Sequence, residues 1–352
     1  MEEVRKLIDK LHKTGSLGEE EFEFLLDNRN EEDSKYLFEL ARKTADSVYG
    51  KRVFLRGLIE FTNYCKNDCF YCGIRNGNGK AERYRLTKDE IMMSCEFGYE
   101  HGIRTFVLQG GEDPYFDDDT MCDIVSTIRK KYPDCAITLS IGERSRDSYE
   151  RLYEAGADRY LLRHETATEE HYRKLHPPEL SMKERMQCLK DLKEIGFQVG
   201  AGFMVGAPYQ THKDMARDFV YLKELEPEMI GIGPFIHHED TPFADMPDGT
   251  AEETIYCLGL LRLMLPKALI PATTALGTID PEGREKGILA GANVIMPSIS
   301  PSYTGGKYLL YKDKLKTSGE MLKGPGSIEN KMRKIGYETV TARGDCAGWE
   351  RR

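Results

Sequence analysis

No run of about eighteen apolar residues occurs in this chain, so nothing in it reads as a membrane-spanning helix. A targeting signal is not expected either. The opening Met1-Glu2-Glu3-Val4 is acidic rather than basic and leads into no apolar stretch, which predicts a cytoplasmic protein. Positive charge is in deficit: 50 Lys and Arg stand against 59 Asp and Glu, a formal net charge of −9. That balance argues against nucleic acid or an anionic membrane as a general partner and leaves room for a local basic pocket. The nine cysteines are odd in number and scattered, and without a secretory signal no disulfide framework is expected.

One further shortage is the most telling. Cys65, Cys69 and Cys72 stand at the spacing Cys-x3-Cys-x2-Cys just after an apolar run, and the next cysteine is Cys95. Structural zinc takes four N or S ligands, usually in two separated pairs, and the loop Cys65-Lys66-Asn67-Asp68-Cys69-Phe70-Tyr71-Cys72 holds no histidine. A [4Fe–4S] cluster normally takes four thiolates, so three on one short loop leave one iron open to another ligand. The spacing therefore favours an open iron–sulfur site over zinc. Tyr71, directly before the last cysteine, can shield such a cluster from water. The other six cysteines, Cys95, Cys122, Cys135, Cys188, Cys257 and Cys346, read as small hydrophobes beside helices or strands and are assigned no function.

Residues 1–50 are charged and helix-periodic, with Leu7, Leu11, Phe22, Leu25 and Leu26 supplying apolar faces and Ser16-Leu17-Gly18-Glu19 opening a second helix. From Val53 onward short β-like runs alternate with amphipathic segments. Strands are predicted at 53–61, 105–109, 136–140, 159–163, 198–204, 229–233, 270–274 and 293–297. Capping patterns at Thr87/Glu90, Ser181/Glu184 and Thr250/Glu253 open helices between them. Eight βα units without a long linker predict an α/β fold, a (β/α)8 TIM-type barrel, and six strands of an open barrel are the fallback. The expected organisation is a helical extension at 1–50, a barrel at 51–312 and a C-terminal extension at 313–352 packed on it.

In such a barrel the active site forms at the carboxyl ends of the strands. The cysteine loop follows strand one, Gln109-Gly110-Gly111-Glu112 follows strand two, Arg163-His164-Glu165-Thr166 ends strand four, and Gly202-Phe203-Met204-Val205-Gly206 ends strand five. On residues alone, Gly110-Gly111 reads as an ordinary turn, and Arg163, Glu165 and Arg185 are equally rim ion pairs. His237 and His238 are adjacent and point to different sides, so they read as loop residues rather than metal ligands.

The loop resembles the signature of the radical S-adenosylmethionine superfamily, Cys-x3-Cys-x-aromatic-Cys. The resemblance implies that Cys65, Cys69 and Cys72 hold a [4Fe–4S] cluster whose open iron chelates S-adenosylmethionine, which an electron cleaves to a 5′-deoxyadenosyl radical. It also implies cofactor contacts at Tyr71, Gln109, Gly110, Gly111, Arg163, Glu165, Arg185 and Met204. Here Gly110-Gly111-Glu112 receives the methionine ammonium, Glu165 the ribose hydroxyls and Arg185 the carboxylate.

A narrower resemblance runs from about residue 50 to 312. The segments Leu55-Arg56-Gly57-Leu58-Ile59-Glu60-Phe61, Leu108-Gln109-Gly110-Gly111-Glu112-Asp113-Pro114-Tyr115, Arg163-His164-Glu165-Thr166, Gly231-Ile232-Gly233-Pro234-Phe235-Ile236 and Pro271-Ala272-Thr273-Thr274-Ala275 are similar to those of the [FeFe]-hydrogenase maturase family HydE. That family is grouped with biotin synthase and methylornithine synthase. The resemblance implies hydrogenase maturation, with the radical attacking the sulfur of a cysteine-bound Fe(CO)2CN precursor. It further implies that HydG delivers the precursor and that the product passes to HydF. Arg56, Thr138, Arg159, Thr273, Thr274, Tyr308 and Tyr311 then face a cavity for a small anionic, iron-containing substrate. An amino-acid mutase resembling methylornithine synthase is the alternative enzyme, biotin synthase lacks support because the cysteines for its second cluster are not evident, and an iron–sulfur electron carrier is the alternative of another class. Two departures stand out. Only Cys346 follows residue 300, so no accessory cluster is expected, and Tyr209 stands where the resemblance leads to glycine.

Overall fold

The computed structural model describes residues 2–315 and 327–351, so part of the expected 313–352 extension lies outside the described residues. Three helices form the N-terminal extension: α1 (Glu2–Thr14), α2 (Glu19–Asp27) and α3 (Glu31–Tyr49). Their apolar faces, through residues such as Leu11, Phe22, Leu25 and Leu37, belong to the same continuous core as the barrel. Helix α2 begins later than Ser16 suggests. Its N-cap is Gly18, whose N–H is taken by the Glu21 carboxylate. The other three capping patterns hold: Thr87, Ser181 and Thr250 each accept from the backbone N–H three residues on.

The strands are β1 (Arg52–Leu55), β2 (Gly57–Thr62), β3 (Thr105–Gly110), β4 (Ala136–Ser140), β5 (Arg159–Leu161), β6 (Gln198–Ala201), β7 (Met204–Val205), β8 (Met229–Ile230), β9 (Gly233–Pro234), β10 (Val294–Ile295) and β11 (Glu338–Val340). A six-stranded parallel sheet runs β2-β3-β4-β5-β6-β8. Closure follows from what flanks it. Met229 bridges Leu269, Pro271 bridges Val294, and β10 pairs with β1, which is continuous with β2 through Arg56. Strand seven of the ring is thus reduced to isolated bridges. The predicted strand at 270–274 is corrected accordingly: Thr273 is the N-cap of a short helix, Thr274–Ile279, because its hydroxyl accepts from Leu276 N–H and turns the chain.

The C-terminal segment supplies an element that strand periodicity did not flag. β11 pairs in parallel with β1 on the side away from β10, at the amino end of the barrel. Beyond it, residues 343–347 run under the barrel. The Thr105 hydroxyl donates to the Arg343 carbonyl, and the Gln198 side chain donates to Asp345 and accepts from Cys346 N–H. The carboxyl ends of the strands lie on the opposite face. No helix among the described residues is long and apolar enough to cross a membrane.

Candidate functional site

The cysteine loop leaves β2 and is held open by its own hydrogen bonds. Arg83 donates to the carbonyls of Asn63, Ile74, Arg75 and Asn78, which ties both ends of the loop to one guanidinium. Three backbone N–H groups fix it to its surroundings: Lys66 to Glu112 (2.9 Å), Phe70 to Leu175 (3.0 Å) and Gly73 to Leu310 (2.9 Å). Gly111 is the close neighbour. A Cβ there would meet the Tyr64 carbonyl oxygen at 2.2 Å and Cys65 Cβ at 2.7 Å, so the loop can lie against the end of β3 only if this residue is glycine.

The three thiols are partly buried and close enough to repel one another's charge. Burial first, then the neighbouring thiols, pushes Cys72 up to about 12 and Cys69 higher still. Against that, the Asn67 and Glu112 amides donate towards Cys65 and the Ile74 amide towards Cys72. Backbone amides aimed at sulfur suit cluster thiolates, whose charge bound iron would stabilise. Among the described residues no three His, Cys, Asp or Glu side chains gather as a single-ion metal site.

Beside the loop a cavity of about 320 Å³ opens at the carboxyl ends of the strands. Tyr71, Cys72, Gln109 and Gly110 form one wall, Arg163, Glu165, Arg185 and Met204 the next, and Thr273, Thr274 and Tyr311 the far side. Gly111 packs on the cysteine loop and is not part of the wall.

Two details single out the second wall. Glu165 is buried at φ +66°, in the left-handed region that a side chain rarely adopts, and its Oε2 has no hydrogen-bond partner. A strained residue presenting an unpaired carboxylate oxygen to a cavity fits a hydroxyl-bearing ligand such as a ribose. Burial opposes the charge of Arg185 most, but Glu143 at 2.6 Å, together with Tyr172, Tyr71 and Cys69, outweighs it and keeps the guanidinium charged. Its Nη1 donates to the Arg163 carbonyl at 3.2 Å, so the group is fixed in direction.

Tyr71 is held by a residue the sequence did not suggest. His176 stacks on Tyr172 with ring centroids 4.0 Å apart, and its Nδ1 lies 3.0 Å from the Tyr172 carbonyl. Burial and the charge of Arg185 pull His176 down to about 3, so the ring is neutral with Nδ1 as donor. The Tyr71 hydroxyl, 3.3 Å from Nε2, donates to it. Glu60 and Lys314 also line the cavity, beyond the residues the sequence motifs point to. A charged residue in the buried run Gly57-Leu58-Ile59-Glu60-Phe61 was a signal for the first. Nothing local marked the second.

Four expected cavity residues lie elsewhere. Arg159 begins β5 and turns towards the amino end, where it donates to the carbonyls of Arg343 and Gly344 and pairs with Asp345 at 2.7 Å. Arg56 donates to Met229 Sδ at 3.0 Å, and burial and repulsion from Arg159 depress its pKa. Thr138, the β4 neighbour of Arg159, is buried in the same layer. Tyr308 is buried beneath Lys314, whose Nζ is 4.6 Å from the ring centre. None of the four lines the cavity, because alternation along a strand fixes which side a residue faces but not its height in the barrel. His237 pairs with Asp248 at 2.8 Å, an ordinary loop contact.

Comparison with known proteins agrees with this geometry. Residues 59–222 match the family model described as the radical SAM superfamily. The [FeFe] hydrogenase maturase subunit HydE of Thermotoga maritima is 48% identical over 279 residues, 79% of each chain. The 3-methylornithine synthase of Methanosarcina acetivorans is 30% identical over 303 residues, covering 86% of this chain and 85% of that protein. Among solved structures, methylornithine synthase (PylB) superposes with a TM-score of 0.83 at 27% identity, covering 95% of this chain and 97% of the other. The hydrogenase maturase HydG, at 22% identity and a TM-score of 0.82, shares the fold, covering 97% of this chain and 76% of its own. With three thiols at the barrel mouth beside a cavity and relatives of this closeness, the chain belongs to the radical SAM enzymes and is a homologue of HydE.

Proposed function

We propose that this protein is a cytoplasmic maturase that acts in assembling the two-iron subcluster of [FeFe]-hydrogenase, with a cysteine-bound Fe(CO)2CN species as its substrate. The observation that carries the reading is 48% identity to HydE over 279 residues, 79% of the chain. HydG as supplier and HydF as recipient are the partners this role calls for, with neither nucleic acid nor membrane involved. Residues 51–312 are read as the catalytic barrel, 1–50 as its helical extension and 313–352 as its C-terminal extension.

Cys65, Cys69 and Cys72 would hold the [4Fe–4S] cluster, with amides at the sulfurs and Tyr71 over one side. The cluster and S-adenosylmethionine, when bound, supply one-electron cleavage to a 5′-deoxyadenosyl radical. The chain's part is to orient and to keep water out. Glu165 Oε2 would accept from the ribose hydroxyls, Arg185 and Arg163 would attract the methionine carboxylate, Gln109 and Gly110 would present backbone to its ammonium, and Met204 would pack beside the nucleoside. Thr273, Thr274 and Tyr311 would bound the substrate. Below them, Arg56 Nε and Nη2, Thr138 Oγ1 and Arg159 Nε are buried without partners, a donor set suited to a small anion, with Tyr308 packed nearby as support.

Similarity to 3-methylornithine synthase along 86% of the chain favours an amino-acid mutase as the second reading. Complementation separates the two. In an anaerobic host that carries the other maturation factors but lacks its own HydE, this protein should restore hydrogenase activity, and Cys69→Ala should not. Failure by soluble, cluster-loaded protein under conditions where the Thermotoga maritima enzyme succeeds would refute the reading, and isomerisation of an amino acid would select the mutase. Formation of 5′-deoxyadenosine by the reduced protein rules out a simple electron carrier.

A further inference from the structure

Glu60 and Lys314 form an ion pair inside the cavity wall, with side chains only 5% and 12% exposed. Buried pairs of this kind are weak stabilisers, since the desolvation of both charges cancels much of their attraction. Neither residue has a role in holding the cysteine loop or in the Glu165–Arg185 wall. Lys314 comes from the segment that crosses the barrel mouth, which is fixed on one side by Gly73 N–H to Leu310 and on the other by Lys312 N–H to the His237 carbonyl.

The bonding of the pair is incomplete in a particular way. The Lys314 ammonium has three protons, and Glu60 Oε1 and the Tyr308 carbonyl (3.0 Å) take two. The Glu60 carboxylate has about four acceptor sites and uses two, for Lys314 and for the Ser298 hydroxyl at 3.1 Å. Among the described residues, one donor and two acceptor positions therefore remain side by side. A lone anion would use only the first and a lone cation only the second, each adding net charge to a low-dielectric pocket. A group with adjacent ammonium and carboxylate uses both and adds none.

We propose that Glu60 and Lys314 are the subsite for the zwitterionic head of an α-amino-acid substrate, the substrate ammonium on Glu60 and its carboxylate on Lys314. The assignment rests on reading the cavity as the substrate site beside S-adenosylmethionine, but both the maturase and the mutase readings accommodate it. Equilibrium titration of the cluster-loaded protein with S-adenosylmethionine present tests it, using L-cysteine and L-lysine against N-acetyl-L-cysteine, which lacks the ammonium, and cysteamine, which lacks the carboxylate. The wild type should bind each intact amino acid at least about tenfold more tightly than the truncated probes, the loss expected for one charged hydrogen bond. Lys314→Met should erase the preference over cysteamine, and Glu60→Gln the preference over N-acetyl-L-cysteine. Equal binding of all four probes, or no binding of any, overturns the proposal. So does a fall in S-adenosylmethionine affinity in these variants with head-group preference intact, which would give the pair to the cofactor. Because the probes include both kinds of amino acid, hydrogenase complementation can fail while this subsite stands, or succeed while it falls.

Discussion

At the scale of single residues, conformation and bonding together mark Glu165. Holding a non-glycine residue at φ +66° costs about 1–2 kcal/mol, and here that residue also carries a buried, unpaired carboxylate oxygen. The strain is useful only if the side chain meets a ligand. Glu165→Ala should therefore weaken S-adenosylmethionine binding by about 1.5–3 kcal/mol, the typical loss for a charged hydrogen-bond partner, while iron and sulfide content stay at one cluster per chain. Unchanged affinity by equilibrium dialysis would refute the contact. Tyr209 shows the same backbone state, φ +65°, with its ring exposed, which accounts for glycine being the expected residue there. These residues also show how far a sequence can be read. The cysteine spacing and the Gly110-Gly111 pair encode their own geometry, because thiolate count and the absence of a Cβ are local properties. Lys314 does not, since its meaning comes from a carboxylate 254 positions away.

Among the elements, the C-terminal segment has the greatest effect that periodicity could not foresee. β11 is only three residues long and partly exposed, so no alternation stood out. What holds the segment is charge. Asp158, buried, faces Arg129, Arg343 and Arg351, while Arg159 beside it pairs with Asp345. Burial opposes the Asp345 charge, but Arg159 and Arg343 outweigh it and hold the carboxyl well below the usual range. A depressed carboxylate contributes stability above its unfolded pKa of about 3.9, and that contribution is lost as pH falls towards the lower folded value. Asp345→Asn should thus cost about 2–3 kcal/mol at neutral pH, by leaving Arg159 with uncharged partners only, the Thr105 hydroxyl and the Arg343 and Gly344 carbonyls, and the loss should shrink below about pH 4. Urea unfolding at a series of pH values measures it. A cost that does not change with pH would mean that packing, rather than the ion pair, holds the segment.

For the whole molecule, these findings divide the barrel into a chemical mouth and a structural floor, as parallel barrels generally do. The eight-fold βα alternation was legible because each unit repeats the same local pattern. Strand seven was not, because Thr273 caps a helix where the β-like run Ile270-Pro271-Ala272-Thr273-Thr274 suggested a strand. The pairing of Arg159 was not legible for a similar reason, since a buried arginine suits either end of a barrel until the partner at one end, here Asp345, is known. The division can be tested with Arg185→Ala at the mouth and Asp345→Asn at the floor. Because the two sites share no partner, their effects should add to within about 0.5 kcal/mol in both urea stability and S-adenosylmethionine affinity. Arg185→Ala should carry nearly all of the affinity loss and Asp345→Asn should carry none. An affinity loss in Asp345→Asn comparable to that in Arg185→Ala would mean that the floor transmits to the mouth through the strands. The buried donors of Arg56, Thr138 and Arg159 would then act on the cofactor as well as on the small anion proposed for them.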